Sequence, residues 1–139
     1  MYKVVLNKMS RDDINFDKWC SIKKNIHKRR RTVYARKKEI WWCALGHNIG
    51  FEQNGKNQYY ERPVLVLRRF SKDLVLAVAL SSVTKKRNKY YHQYTLDGNR
   101  YAVILSQLKV LSTKRLLRKQ GIFPGNDFRE VQGKIKNFC

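Results

Sequence analysis

Behind Ser10, the apolar residues Ile14, Trp19, Ile22 and Ile26 recur at spacings of three to five, which predicts a helix from Arg11 to His27. Ser10 suits the cap, and Asp12 and Asp13 fall in the first turn, where the helix dipole favours carboxylates. The pattern then changes to short runs that read as strands: Glu39–Leu45, Val64–Phe70, Leu74–Leu80 and Tyr90–Leu96. Ser71-Lys72-Asp73 is a short turn between the second run and the third. Asp97-Gly98-Asn99 is a hairpin signal that sends the chain back through Tyr101–Leu105. A last short strand covers Leu108–Leu111. The run Leu74–Leu80 is apolar at nearly every position, which suits a strand covered on both faces or one in a tight barrel or dimer. Two helices are expected at the end. Ser112 caps the first over Thr113–Gln120, and Gly121 stops it. Asn126 caps the second, along which Phe128, Val131, Ile135 and Phe138 keep helical spacing. Short antiparallel strands with late helices read as an α+β fold, a small, mainly β barrel with helices packed on it.

Charge adds the next constraint. The chain carries 31 basic and 10 acidic residues, a net +21, which speaks of partners rather than of fold. Residues 1–38 and 39–139 contribute almost equally, so the folded part is basic by itself. Nucleic acid is the first partner this suggests, then a membrane surface or an acidic protein. Hydrophobic residues make up 42% of the chain, which argues against the disordered class. At 139 residues, one domain is expected over residues 37–139, preceded by a basic helical extension over residues 1–36. Within that extension, Lys28-Arg29-Arg30-Arg31 reads equally well as a solvated linker or as a phosphate-contacting arm. No apolar run is long enough to span a bilayer, and no signal sequence is visible at the start. The cysteines Cys20, Cys43 and Cys139 are odd in number and form no C-x-x-C pair, which fits a reducing cytoplasm. Cys43 reads as plain core.

Several kinds of chemistry are missing from the sequence. It has no glycine-rich phosphate loop after a strand, no H-x-x-x-H pair and no serine elbow. His27, His47 and His92 lie in separate segments and acids are scarce, so neither a metal nor a cofactor is expected. Arg62-Pro63 is more suggestive. Proline lacks an N–H and belongs at a strand start or edge, and it holds the residue before it extended. Arg62 is thereby restricted at the rim of a sheet, where it can fork onto a phosphate or pair with Glu61 or Glu52. Ser81 and Ser82 follow the third strand; their hydroxyls can meet a phosphate oxygen or their own backbone. Lys85, Lys86 and Arg87 sit beside them as a basic loop that adds phosphate affinity. Aromatic residues interleave with the charge (Trp41, Trp42, Phe51, Tyr59, Tyr60, Tyr90, Tyr91, Tyr94), and exposed rings of this kind can stack single-stranded bases.

The ordered blocks E-I-W-W, L-G-x-x-x-G-x-E-Q, R-P-V-L-V-L, an apolar strand ending in Ser-Ser, I-L-S-Q-L and K-R-L-L-R-K closely resemble the MazF/PemK family of toxin endoribonucleases from bacterial toxin–antitoxin systems. The match runs from about Lys37 to Phe138. The resemblance implies an SH3-like barrel, a homodimer, metal-independent cleavage of single-stranded RNA, and neutralisation by an acidic antitoxin. It puts the family's arginine on Arg62, its loop glutamate on Glu52, and its strand-end hydroxyl, most often threonine, on Ser81. Cleavage of this kind uses the neighbouring 2′-hydroxyl as nucleophile and leaves a 2′,3′-cyclic phosphate and a 5′-hydroxyl. Arg62 then stabilises charge, Ser81 binds a phosphate oxygen, and Glu52 serves as base or orients Arg62. Gln53, Ser82, Lys85, Lys86, Arg87 and His47 are the expected RNA contacts. Phe51 stands where a small residue is common and His47 where proline is common, so no RNA sequence preference is carried over. A basic barrel that binds nucleic acid without cutting it, and a toxin of the same fold acting on a protein such as a topoisomerase, remain as rival readings.

Overall fold

The computed structural model describes residues 10–82 and 88–139. Helix α1 spans Arg11–His27, as the periodicity predicts. Its start is a capping box: Ser10 Oγ accepts from the Asp13 N–H, and the Asp13 carboxylate accepts from the Ser10 N–H, both at 3.1 Å. Trp19 and Ile26 bury themselves against Ala44 and Tyr60, with Ile22 and Leu117 alongside. The indole lies so close to Gly46 that a Cβ there would meet it at 2.5 Å, and Gly46 also holds φ +101°. Only glycine meets both demands without strain.

The strands are β1 (Glu39–Ala44), β2 (Glu61–Arg69), β3 (Leu74–Ser81), β4 (Tyr91–Leu96), β5 (Asn99–Ser112) and β6 (Leu116–Ile122). They form one antiparallel sheet in the order β4-β5-β3-β2-β1-β6. Asp97 and Gly98 both take positive φ, +50° and +79°, as a two-residue hairpin between β4 and β5 requires. Register shifts interrupt the β1–β6, β2–β3 and β3–β5 ladders, and such irregularities bend a sheet. The bending brings Tyr94 of edge strand β4 onto Phe123, just past the opposite edge strand β6, with ring centroids 4.5 Å apart. Between them lie Ile40, Leu65, Leu80, Val103 and Leu105, closed by Phe128 and Val131 of α2 (Gly125–Lys136). A second cluster, Trp41, Cys43, Val64, Val66, Val75 and Ala77, covers the other face of the same strands. The run Leu74–Leu80 is therefore covered on both faces, as its composition implies. Burial pushes the Cys43 thiol up to about 12, consistent with a plain core role.

Four expectations are corrected. The sheet is not a closed barrel: β4 and β6 are its two edges and are not hydrogen-bonded to each other. Thr113–Gln120 is not a helix. Ser112 Oγ does accept from the Lys114 N–H, but only a 3-10 turn, Thr113–Arg115, follows before the chain becomes β6. Residues 116–120 favour helix locally, yet pairing with β1 satisfies that strand's free edge and buries Leu116. The short strand expected at Leu108–Leu111 is the far half of the long β5. Asn126 is not a cap either; it sits inside α2, whose cap position is Pro124.

Candidate active site

The loop between β1 and β2 is folded tightly by its backbone. The Leu45 and Gly46 N–H groups both donate to Tyr60 O, Gly55 N–H donates to Gly46 O, and Lys56 and Glu61 exchange N–H···O bonds of 2.8 and 2.9 Å. Asn48 Nδ2 donates to Leu45 O and Gln53 O, at 3.3 and 2.8 Å. This frame aims the Asn54 carbonyl at Arg62, whose Nε donates to it at 2.8 Å. Arg62 Nη1 donates to Leu80 O at 3.1 Å. With the Gln53 amide oxygen turned toward the guanidinium, it accepts from Nη2 at 2.7 Å and Nε at 3.2 Å.

Arg62 is thus only 7% exposed, and among the described residues every partner it has is a neutral oxygen. Desolvation lowers its pKa, because burial disfavours the cation. A buried cation without a counter-charge is costly unless an anion arrives. The neighbouring carboxylate does not supply one. Glu61 receives both Arg118 nitrogens at 2.9 Å, and Asn57 Nδ2 at 2.9 Å. The Arg118 hydrogen bonds hold the Glu61 carboxyl below its usual range. Its folded pKa therefore lies under the unfolded value of about 4.3, so the pair adds stability above that pH and loses it as pH falls through the folded value. We predict that the melting temperature of the wild type falls more steeply below about pH 4 than that of Glu61→Gln, as followed by circular dichroism.

Arg62 opens onto a cavity of about 360 Å3. Ile40, Leu80, Tyr94 and Leu96 give it an apolar side. Trp42, Lys56, Asn57, Ser81, Ser82 and Gln120 add a ring and polar groups. Ser81 ends β3 opposite Ala102, and the carbonyl just before it is the one Arg62 holds. The sheet register therefore sets guanidinium and hydroxyl on one cavity. An anionic group placed here would meet a buried cation, strand-end hydroxyls and an ammonium at once, while a planar base could lie on Trp42 or the tyrosines.

The expected site residues divide. Arg62, Ser81 and Ser82 line the cavity, and Gln53 braces Arg62 from behind. Glu52 does not line it. That residue is exposed in a turn closed by its own N–H to Ile49 O at 3.1 Å, and among the described residues it makes no ion pair. Its neighbour Gln53 is the loop residue that faces Arg62. His47 is drawn to the extension instead: its Nε2 lies 3.0 Å from Asp12, and its ring meets Phe16 edge-on. Lys85, Lys86 and Arg87 lie outside the described residues. Sequence reading missed Lys56, Asn57 and Gln120, which reach the cavity through the Lys56–Glu61 bridge and the unforeseen strand β6. No local signal marks them. Among the described residues one cluster could hold a metal ion, His92, Asp127 and Glu130, and none of the three lines this cavity. The His92 Nδ1 is also taken up by the Lys134 ammonium, at 2.9 Å.

Residues 36–139 match the family profile described as PemK-like, MazF-like toxin of type II toxin-antitoxin system. No curated protein matches the chain. Among solved structures, the fold is similar to MazF (Form-I) from Deinococcus radiodurans, with a TM-score of 0.63 at 20% identity, over 76% of this chain and 96% of that one. It is also similar to MazE-MazF (Form-III) from the same organism, with a TM-score of 0.57 at 17% identity, over 76% and 96%. An endoribonuclease in complex with its cognate antitoxin from Mycobacterial species gives 0.55 at 13%, over 75% and 93%. At these identities the likeness speaks for the fold.

Proposed function

The chain belongs to the PemK/MazF family of toxins of type II toxin–antitoxin systems, and from that membership and the Arg62 cavity we propose that it is an endoribonuclease that cleaves single-stranded RNA without a metal. The observation that carries this reading is a buried guanidinium, held by neutral oxygens, facing a cavity beside a strand-end hydroxyl. The scissile phosphate sits against Arg62 and Ser81. The adjacent 2′-hydroxyl attacks phosphorus, so the substrate supplies its own nucleophile. The bound diester already gives Arg62 one negative charge; as the phosphorane forms that charge grows toward two, and stabilisation is therefore greater in the transition state than before it. The P–O5′ bond then breaks and the departing 5′-oxygen takes a proton from water, giving 2′,3′-cyclic phosphate and 5′-hydroxyl ends.

Glu61 is a poor base, because Arg118 keeps it charged and occupied. We assign proton removal to Glu52, which is exposed beside Gln53 on the loop and outside the cavity, so the role requires the bound strand to cross that loop. Ser82, Lys85, Lys86 and Arg87 follow Ser81 in the chain and contact flanking phosphates. The partner that neutralises the toxin is an acidic antitoxin, as the +21 charge favours, and the setting is the cytoplasm. A homodimer is supported by Leu108 and Val110, which face outward on β5 at 38% and 57% exposure. Among the described residues no helix is long and apolar enough to cross a membrane.

The test uses an oligoribonucleotide series in which one sugar at a time is 2′-deoxy. Cleavage should vanish only when the deoxy sugar sits on the 5′ side of the cut, and Glu52→Gln should slow cutting of the unmodified strand by roughly 10²-fold or more. Cleavage that tolerates every deoxy position would remove the 2′-hydroxyl mechanism, and RNA left intact would leave a non-cleaving binder.

A further inference from the structure

A second cationic site lies at the other end of β2. Val33 is half-buried and Ala35 is fully buried in the second core cluster, which pins the segment and turns Tyr34 and Arg36 outward. The register shift between Val66 and Arg68 ends the buried part of β2, and Arg68 and Arg69 emerge side by side. Arg69 stacks on the Tyr34 ring, 4.0 Å from its centroid, and donates Nη2 to the Tyr34 hydroxyl. Arg36 approaches the same ring at 5.3 Å. Together with Lys37 and Arg68 they line a cleft of about 520 Å3 whose other lining residues are Leu67 and Gln132.

No carboxylate lines this cleft, and among the described residues none of Arg36, Lys37, Arg68 and Arg69 is in an ion pair. Elsewhere on the sheet the basic residues Arg118 and Lys119 do have acids, Glu61 and Glu39. Like charges gathered on one ring repel each other until an anion is bound. Planar guanidinium groups present paired N–H donors that suit phosphate oxygens. Leu67 is 6% exposed, and the one exposed ring, Tyr34, already faces Arg69 and Arg36, so the cleft offers cations rather than an apolar pocket for a peptide side chain, which favours a phosphodiester backbone over an acidic protein segment. The cleft shares no lining residue with the Arg62 cavity. Along β2, Arg62 and Arg68 stand about 20 Å apart at the usual strand rise, a span that takes several nucleotides.

We propose that this cleft is an accessory site for the phosphate backbone of single-stranded RNA flanking the Arg62 cavity. It rests on the endoribonuclease reading for its substrate. It also gives the segment ahead of β1 a purpose, since Tyr34 organises the arginines.

The test measures binding by the full-length protein and by the double variant Arg36→Gln/Arg69→Gln. The probes are a long and a short 2′-O-methyl RNA, which cannot be cut by 2′-hydroxyl attack, and poly-glutamate. Both side chains are exposed, so the variant should keep its fold, as checked by its melting temperature. Affinity for the long RNA should drop by about tenfold, and the log–log salt slope should become shallower by about 1.4, which corresponds to two lost phosphate contacts on a single strand. The short RNA, filling only the Arg62 cavity, should bind both proteins alike. Unchanged long-RNA affinity and salt slope would overturn the proposal, as would a loss confined to poly-glutamate, which would assign the cleft to an acidic protein partner. If the wild type fails to cut ordinary RNA but the double variant loses affinity for the long probe, the nuclease reading falls and the binding site stands.

Discussion

Arg62→Ala should reduce RNA cleavage by about 10²- to 10³-fold, because removing one pre-placed donor from a developing oxyanion costs about 3–4 kcal/mol of barrier. Arg62→Lys should not restore it. The guanidinium reaches Asn54 O and Leu80 O with separate nitrogens, and it also meets the Gln53 amide. A lysine places its donors at one point and cannot hold that frame and the phosphate together. The loss should fall mainly on kcat in a single-turnover assay, since the gain from Arg62 rises with charge in the transition state. A second signature separates this from unfolding. The wild type bears a buried, uncompensated cation, so binding of a non-cleavable RNA should raise its melting temperature, and the Arg62→Ala protein should show a smaller rise.

Gly55→Ala should be nearly as damaging, although it removes no chemical group. Its Cβ would fall 1.7 Å from Tyr60 O and 2.0 Å from Tyr60 C, both backbone atoms that no rotamer change can clear. The contact must be relieved by parting the two arms of the loop, which breaks the Gly55 N–H to Gly46 O bond and the Lys56–Glu61 bridge. Overpacking of this kind costs about 1–3 kcal/mol. Asn54 precedes Gly55, so the carbonyl that orients Arg62 moves with it. A misplacement of about 1 Å at a reacting group can lose 10²-fold in rate. The variant should therefore keep the sheet by circular dichroism, melt earlier, and cut RNA slowly with Arg62 still present. Wild-type activity in Gly55→Ala would show that the loop frame does not position the guanidinium.

The residues that local rules govern were legible in the sequence. Ser10 and the aspartates after it define the start of α1, Asp97-Gly98 makes the hairpin, and Pro63 falls near the start of β2, next to Arg62. Alternation fails along Leu74–Leu80 because both core clusters claim that strand. Legibility ends where partners lie far apart in the chain. The stretch Leu116–Ile122 becomes a strand because β1 needs a neighbour, a requirement invisible in its own composition. The same pairing brings Arg118 to Glu61 and so frees Arg62 from the acid beside it. From the sequence, Glu61 and Glu52 were both plausible partners for that arginine; the fold gives it neither. Lys56 and Gln120 reach the cavity for similar reasons.

The most direct measurement is the chemistry of the ends produced when purified protein is incubated with single-stranded RNA in excess EDTA. The account predicts 2′,3′-cyclic phosphate and 5′-hydroxyl termini from the wild type, undiminished by the chelator, and their near disappearance with Arg62→Ala. Cutting that stops in EDTA, ends bearing a 3′-hydroxyl and 5′-phosphate, or equal cutting by Arg62→Ala would contradict it.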